Sequence, residues 1–167
     1  GIIMGTGVGG GVVVRERVLY GCQGIAGEWG HNVLDSEGPA CYCGKRGCVE
    51  QFLAGPALQE YYTGLSGKSW TLAEIVRRCE GGSDTHAEAT VQRLIAYFGR
   101  AIAYLINILD PHVIVLGGGV SNVDLLYKDA GAWPPIAAGI ASPNPTGNTY
   151  NWTLPTTAIV STNVKVR

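Results

Sequence analysis

This sequence has little charge. Only 15% of its 167 residues are charged, and the formal net charge is -1. No basic stripe offers a footing for nucleic acid, and no polybasic or amphipathic stretch offers one for a membrane surface. Apolar runs fall far short of the roughly 18 residues that a spanning helix needs. No charged leader precedes an apolar stretch and a cleavage site, so nothing reads as a signal peptide and the expected location is cytoplasmic. No internal repeat is present. A hydrophobic fraction of 46% nevertheless excludes a disordered tail and suits a single-domain length with a real core.

Cysteine and glycine are the informative residues. The five cysteines are odd in number and three of them crowd together, which argues for metal over a disulfide framework. Glycine reaches 25 residues, and much of it falls in two compact runs, Gly5 to Gly11 and Gly117 to Gly119, and not in a linker.

The chain opens on Ile2-Ile3-Met4, an apolar run that predicts a buried strand leading into the first glycine run. Such a loop seldom starts a protein, so material before Gly1 is expected. Val12 to Val14 and Val18 to Tyr20 flank Arg15-Glu16-Arg17 and predict a hairpin. Gly21 to Cys48 reads as loop. Val49 to Tyr62 reads as helix, broken near Gly55-Pro56, where proline suits the first turn of a new helix. Thr71 and Glu74 form a capping box, after which Leu72, Ile75, Val76 and Cys79 share a face. Cys79 is read there as a small core residue. The strongest helix runs from about Thr85 to Leu109, with Leu94, Phe98, Ile102, Leu105 and Leu109 as its apolar stripe. Val113 to Leu116 predicts a buried strand that ends at Gly117, an α/β unit with a ligand site at the strand's carboxyl end. Beyond Tyr127 the pattern fades, with one more strand expected within 157–166.

Three thiols fall within the eight residues Cys41 to Cys48, and His31 lies ten residues upstream. His31, Cys41, Cys43 and Cys48 make a closed set of one imidazole and three thiolates, the donor set of structural zinc, with no open place for a catalytic water. The plainer alternative is three reduced cysteines in a loop. Glu28 and Glu50 bracket this segment. A metal that pins the loop would orient both carboxylates toward one cleft, where they suit hydrogen bonds from sugar hydroxyls. Solvated surface charge is the competing reading. The Gly5 to Gly11 run is no Walker motif, since no Gly-Lys-Ser/Thr follows. It does expose backbone N–H groups that can approach phosphate, with the Thr6 hydroxyl beside them. Gly117 to Gly119 offers bare backbone against which a flat ring could lie. Two tight turns would account for the glycines equally well.

Taken together these segments resemble a known family. Gly5-Thr6-Gly7-Val8-Gly9-Gly10-Gly11, Glu28-Trp29-Gly30-His31, the run from Cys41 through Cys43 and Cys48 to Glu50, and Asp110-Pro111 followed by Val113 to Gly119 resemble the ROK family of repressors and sugar kinases. The likeness covers about residues 1–127, with 128–167 matching poorly. The wording Gly27 to Asn32, Cys41 to Lys45 and Val120 to Asp124 is nearest to bacterial fructokinases of the manno(fructo)kinase type. The resemblance implies an actin-like ATPase (ribonuclease H-like) α/β fold, of which this chain is mostly the C-terminal lobe. It implies phosphoryl transfer from Mg²⁺-bound ATP to a hexose, with fructose expected, and a homodimer. By position, Glu28, His31 and Glu50 would contact the sugar, Gly5, Thr6 and Gly7 the phosphates, and Gly117, Gly118 and Gly119 the adenosine. The family's Asp-x-Gly-Gly-Thr motif and catalytic aspartate are absent here, as is its closing helix, so no catalytic residue is assigned and the isolated chain is expected to be inactive. A sugar-sensing effector domain of a ROK-type repressor is the alternative, and a zinc-stabilised scaffold the third reading.

Overall fold

The computed structural model describes residues 1–128. The strand expected within 157–166, and nearly all of the poorly matched segment, lie outside the described residues. Four short strands precede a block of helices and a fifth follows it. β1 (Ile2–Met4) pairs antiparallel with β2 (Val8–Gly10) and parallel with β5 (Leu116–Gly117), giving the order β2-β1-β5. The loop Gly5 to Gly7 makes the β1–β2 connection. β3 (Val13–Val14) and β4 (Arg17–Val18) form the expected hairpin. Its two-residue turn holds Arg15 at φ 50° and Glu16 at φ 66°. Both values lie in the left-handed region, as a tight turn matching strand twist requires.

The helices are α1 (Glu50–Leu53), α2 (Gly55–Ser66), α3 (Leu72–Glu80), α4 (Thr85–Leu109) and α5 (Leu125–Lys128). The break at Ala54 falls where proline predicted it, since Pro56 stands in the first turn of α2. Thr71 caps α3 by accepting from the Glu74 N–H, but the capping box is only half formed. The Glu74 carboxylate turns instead to Arg77 at 2.7 Å and Arg78 at 2.8 Å. Two guanidinium partners outbid one backbone N–H. Asp84 caps α4 by accepting from the His86 and Ala87 N–H groups, and the Tyr62 hydroxyl donates to it at 2.7 Å. These three donors hold its carboxyl below the ordinary carboxylate range, the Tyr62 bond foremost.

α4 is the spine on which α1, α2, α3 and α5 pack. Phe52, Leu53, Leu58, Leu94, Phe98 and Ile102 join Ile2, Met4 and Leu116 in one buried cluster, and Tyr62, Ile75 and Ala87 form a satellite. Cys79 is half-buried against both, as a small core residue should be. Apolar burial of this kind contributes about 1.5–3 kcal/mol for each large side chain.

Three expectations need correction. β1 is buried on one face only, for Ile2 and Met4 point to α4 while Ile3 stays 45% exposed. The strand before Gly117 is short, because the register sets Leu116 opposite Ile2, so Val113 and Ile114 have no β1 residue across from them. Val113 is accordingly exposed. Finally, the apolar stripe of α4 weakens at its end. Leu105 is half-buried and Leu109 exposed, and both border an apolar cavity of about 410 Å³ shared with Val13, Pro111 and Val113. No helix among the described residues is long and apolar enough to cross a membrane.

Candidate functional site

The loop from Gly21 to Cys48 has almost no regular structure, yet its backbone is densely tied. The Leu34 N–H donates to Gly47 at 2.8 Å, Gly47 to Pro39 at 2.7 Å, Cys41 to Lys45 at 2.8 Å and Val49 to Asn32 at 2.9 Å. Gly44 (φ 87°) and Gly47 (φ 61°) take left-handed conformations at the two tight corners. A methyl group on Gly47 would run into the Asp35 carbonyl, so this corner admits no side chain.

That folding brings the four expected metal ligands together. The donor atoms of His31, Cys41, Cys43 and Cys48 all lie within 4.8 Å of one another. Cys43 Sγ and Cys48 Sγ are 3.6 Å apart, and Cys41 Sγ is 3.5 Å from His31 Nδ1. A tetrahedral zinc ion with ordinary Zn–S and Zn–N bonds has ligand–ligand edges of roughly 3.5–3.8 Å, which these two edges match, while the set as a whole stays within 4.8 Å. Burial, followed by the neighbouring thiols, pushes the Cys48 thiol up to about 12, whereas the backbone N–H of Lys45 draws Cys43 below its ordinary value. A buried thiolate at Cys48 therefore needs a cation beside it.

The second nitrogen of His31 points the other way. Its Nε2 is hydrogen-bonded to the Tyr42 hydroxyl at 2.8 Å, while the His31 carbonyl accepts from Lys45 Nζ at 3.1 Å. Glu50 opens α1, and its Oε2 accepts from the Val8 N–H at 3.0 Å. The same oxygen lies 2.8 Å from where a side chain on Gly7 would begin, and the Glu28 carboxylate lies 3.6 Å from that place on Gly9. A side chain at Gly7 would push the Glu50 carboxylate aside. Both carboxylates thus flank the same stretch of the first glycine loop, with the exposed Glu28 at one end and the half-buried Glu50 at the other.

On the other side of that loop lies a cleft of about 710 Å³ lined by Gly5, Thr6, Gly55, Pro56, Gln59 and Gly119, among others. The Gly55 N–H donates to the Gly5 carbonyl at 2.8 Å, which seats the start of α2 at the cleft. After β5 a 3-10 turn (Gly119–Asn122) carries Asn122 to the same wall, with Asp124 just beyond it. Gly5, Thr6 and Gly119 therefore line one cleft. Gly7, Gly117 and Gly118 are not among the cleft's lining. Gly7 faces Glu50, Gly117 packs on Ile3, and Gly118 (φ 87°) crosses Met4 so closely that a methyl group would strike its carbonyl. The last two make the strand crossing possible. Sequence reasoning passed over Tyr42, between two ligands, and over Pro56 and Gln59, which it took only as a helix restart.

The short parallel and antiparallel strands against α4, with a glycine-walled cleft beside them, define one lobe of an actin-like ATPase fold. The ROK family profile matches residues 1–132, and the chain belongs to the ROK family. N-acetyl-D-glucosamine kinase of Pectobacterium carotovorum is 36% identical over 138 residues, 77% of this chain and 45% of the relative. The ROK hexokinase of Thermus thermophilus shares 37% identity at a TM-score of 0.68, over 80% of this chain and 48% of that one. A ROK family transcriptional regulator, a homologue of the Escherichia coli Mlc protein, shares 32% at a TM-score of 0.67, over 76% and 35%. The chain thus spans about half the length of the kinases it resembles or less.

Proposed function

We propose that this chain is the sugar- and nucleotide-binding lobe of an ATP-dependent hexose kinase. The observation that carries the reading is the shared wall. Residues 5 and 6 of one glycine loop line the cleft, and residues 7 to 9 of the same loop meet Glu50 and Glu28. Phosphate laid along the first part would lie next to a sugar held by the second, which is the proximity phosphoryl transfer needs.

In this reading Glu28 and Glu50 accept hydrogen bonds from sugar hydroxyls, and His31 Nε2 donates one. Gly5 and Thr6 hold the phosphates, and Gly119 the adenosine side. Zinc on His31 Nδ1, Cys41, Cys43 and Cys48 fixes the loop that carries His31 and aims the imidazole. Mg²⁺ bound with ATP neutralises charge on the transferring phosphate. No proton acceptor for the attacking hydroxyl is assigned among the described residues, so binding and orientation are this lobe's share and the chain alone is inactive. The intact kinase is a homodimer.

The substrate is a hexose. The sequence wording points to fructose, whereas the kinase relative is named for N-acetyl-D-glucosamine, so the test uses a panel. Calorimetry with fructose, mannose, glucose and N-acetylglucosamine should show one preferred sugar. Glu50→Gln should weaken it by 10-fold or more and leave one zinc per chain. Wild-type affinity in Glu50→Gln for every sugar would overturn the assignment. The similarity to the transcriptional regulator favours a second reading, a sugar-sensing effector domain. Phosphate transfer by the complete parent protein would decide for the kinase, and its absence with sugar binding kept would decide for the sensor.

A further inference from the structure

His31 has a second partner that the reading above leaves unused. Tyr42 stands between Cys41 and Cys43, so its backbone is pinned on both sides by two of the candidate metal ligands. Its ring is 82% exposed and meets the His31 ring edge to face, with centroids 4.9 Å apart and planes at 86°. Its hydroxyl makes the 2.8 Å hydrogen bond to His31 Nε2.

We propose that Tyr42 holds the place of a sugar hydroxyl on His31 Nε2 and must swing out for the sugar to bind. The proposal rests on the sugar reading of Glu28, His31 and Glu50. A hydroxyl hydrogen-bonded at 2.8 Å to the imidazole nitrogen that the sugar reading assigns to substrate stands where a bound sugar hydroxyl would. The tautomer follows from the ligand set. An imidazole that gives its Nδ1 lone pair to a metal carries its proton on Nε2, so His31 donates and the Tyr42 oxygen accepts. The sugar needs that same proton, which has only one direction to point. Apart from its edge contact with His31 the ring is exposed, so rotation about the side-chain bonds of Tyr42 clears the nitrogen without moving the loop. Tyr42 in this role is a positioning residue that keeps the imidazole aimed while the site is empty, at some cost in sugar affinity.

The experiment compares the wild-type chain with Tyr42→Phe, which keeps the ring and removes only the hydroxyl. Calorimetry is run with fructose, mannose, glucose and N-acetylglucosamine, zinc is measured by elemental analysis, and the histidine side-chain ¹⁵N spectrum is recorded. Losing one competing neutral hydrogen bond should tighten the preferred sugar by roughly 2- to 10-fold. Zinc should stay at one per chain, and the His31 Nε2 resonance should shift before any sugar is added. Unchanged or weaker affinity in Tyr42→Phe, with the wild type binding normally, would overturn the proposal and leave the sugar reading standing. If neither chain bound any of the four sugars, the sugar reading would fail and the proposal with it.

Discussion

Around α4 the chain is held by buried hydrocarbon, with Leu58, Leu94, Phe98 and Ile102 all within 2% of full burial. Between Gly21 and Cys48 the buried apolar side chains are only Trp29, Leu34, Cys41 and Cys48, and two of these are candidate metal ligands. The helical region needs no cross-link, because every turn adds buried surface. The loop buries little to offset the entropy of ordering its residues, so backbone hydrogen bonds carry more of its order, and in the proposed reading a shared ion adds to them. The two regions meet along a narrow seam. There the Tyr97 hydroxyl donates to Asp35 at 2.7 Å and Arg100 donates to the Leu34 carbonyl at 3.3 Å, and on the helical side of the seam Arg93 lies over Phe52, Tyr61 and Tyr97 at 4.3–5.3 Å.

Removing the metal should separate the two regions most sharply. Chelation, or Cys48→Ser, is expected to abolish hydrogen-exchange protection at Leu34, Cys41 and Gly47 while far-ultraviolet circular dichroism keeps its helical signal. A helical signal that collapsed together with the loop would show that the regions are one cooperative unit. The converse change is Leu94→Ala, which should cost about 2–5 kcal/mol in urea unfolding by emptying part of the core. Zinc content of the folded fraction should not change. Next comes the seam. Arg93→Met should lose about 1 kcal/mol, the worth of a partly buried cation over aromatic rings, and this is read from the shift in urea midpoint.

The smallest effect is expected from acid. Asp35 sits below the ordinary carboxylate range, first because of the Tyr97 hydroxyl and then the Glu37 N–H. Asp84 sits low chiefly because of Tyr62. A depressed carboxyl stabilises the fold above its unfolded value, and that stability is lost as pH falls through the folded one. Stability should therefore decline only below about pH 4. Tyr97→Phe should flatten the slope there without touching the neutral-pH plateau of zinc binding. A slope identical to wild type would remove Asp35 from the account.

How much of this was legible beforehand followed from how local each cause is. Thr85 to Leu109 could be read because the apolar repeat lies within the helix and the Asp110-Pro111 stop directly follows it. The clustering of His31 with Cys41, Cys43 and Cys48 could be read because it is written in residue type and short spacing. The half-formed capping box could not, since Arg77 and Arg78 compete for Glu74. Nor could the sorting of the glycines. Gly5, Thr6 and Gly119 line a cleft, whereas Gly118 only clears a path over Met4, and a sequence shows both as the same letter. Tyr42 was invisible for another reason. Between two cysteines it looks like a spacer, and only the path of the chain sets its hydroxyl against His31.

Trp29 is 6% exposed, and its indole N–H donates to the Gly9 carbonyl at 3.0 Å, so one aromatic side chain is fastened to the shared glycine wall. That makes it an internal optical label. Its emission should be blue-shifted and poorly quenched by iodide, whereas Trp70, 37% exposed, should emit to the red and quench readily. Any movement of the wall, whether driven from the cleft or from the carboxylates, would then register as a change of colour in the protein's own fluorescence, with no dye attached.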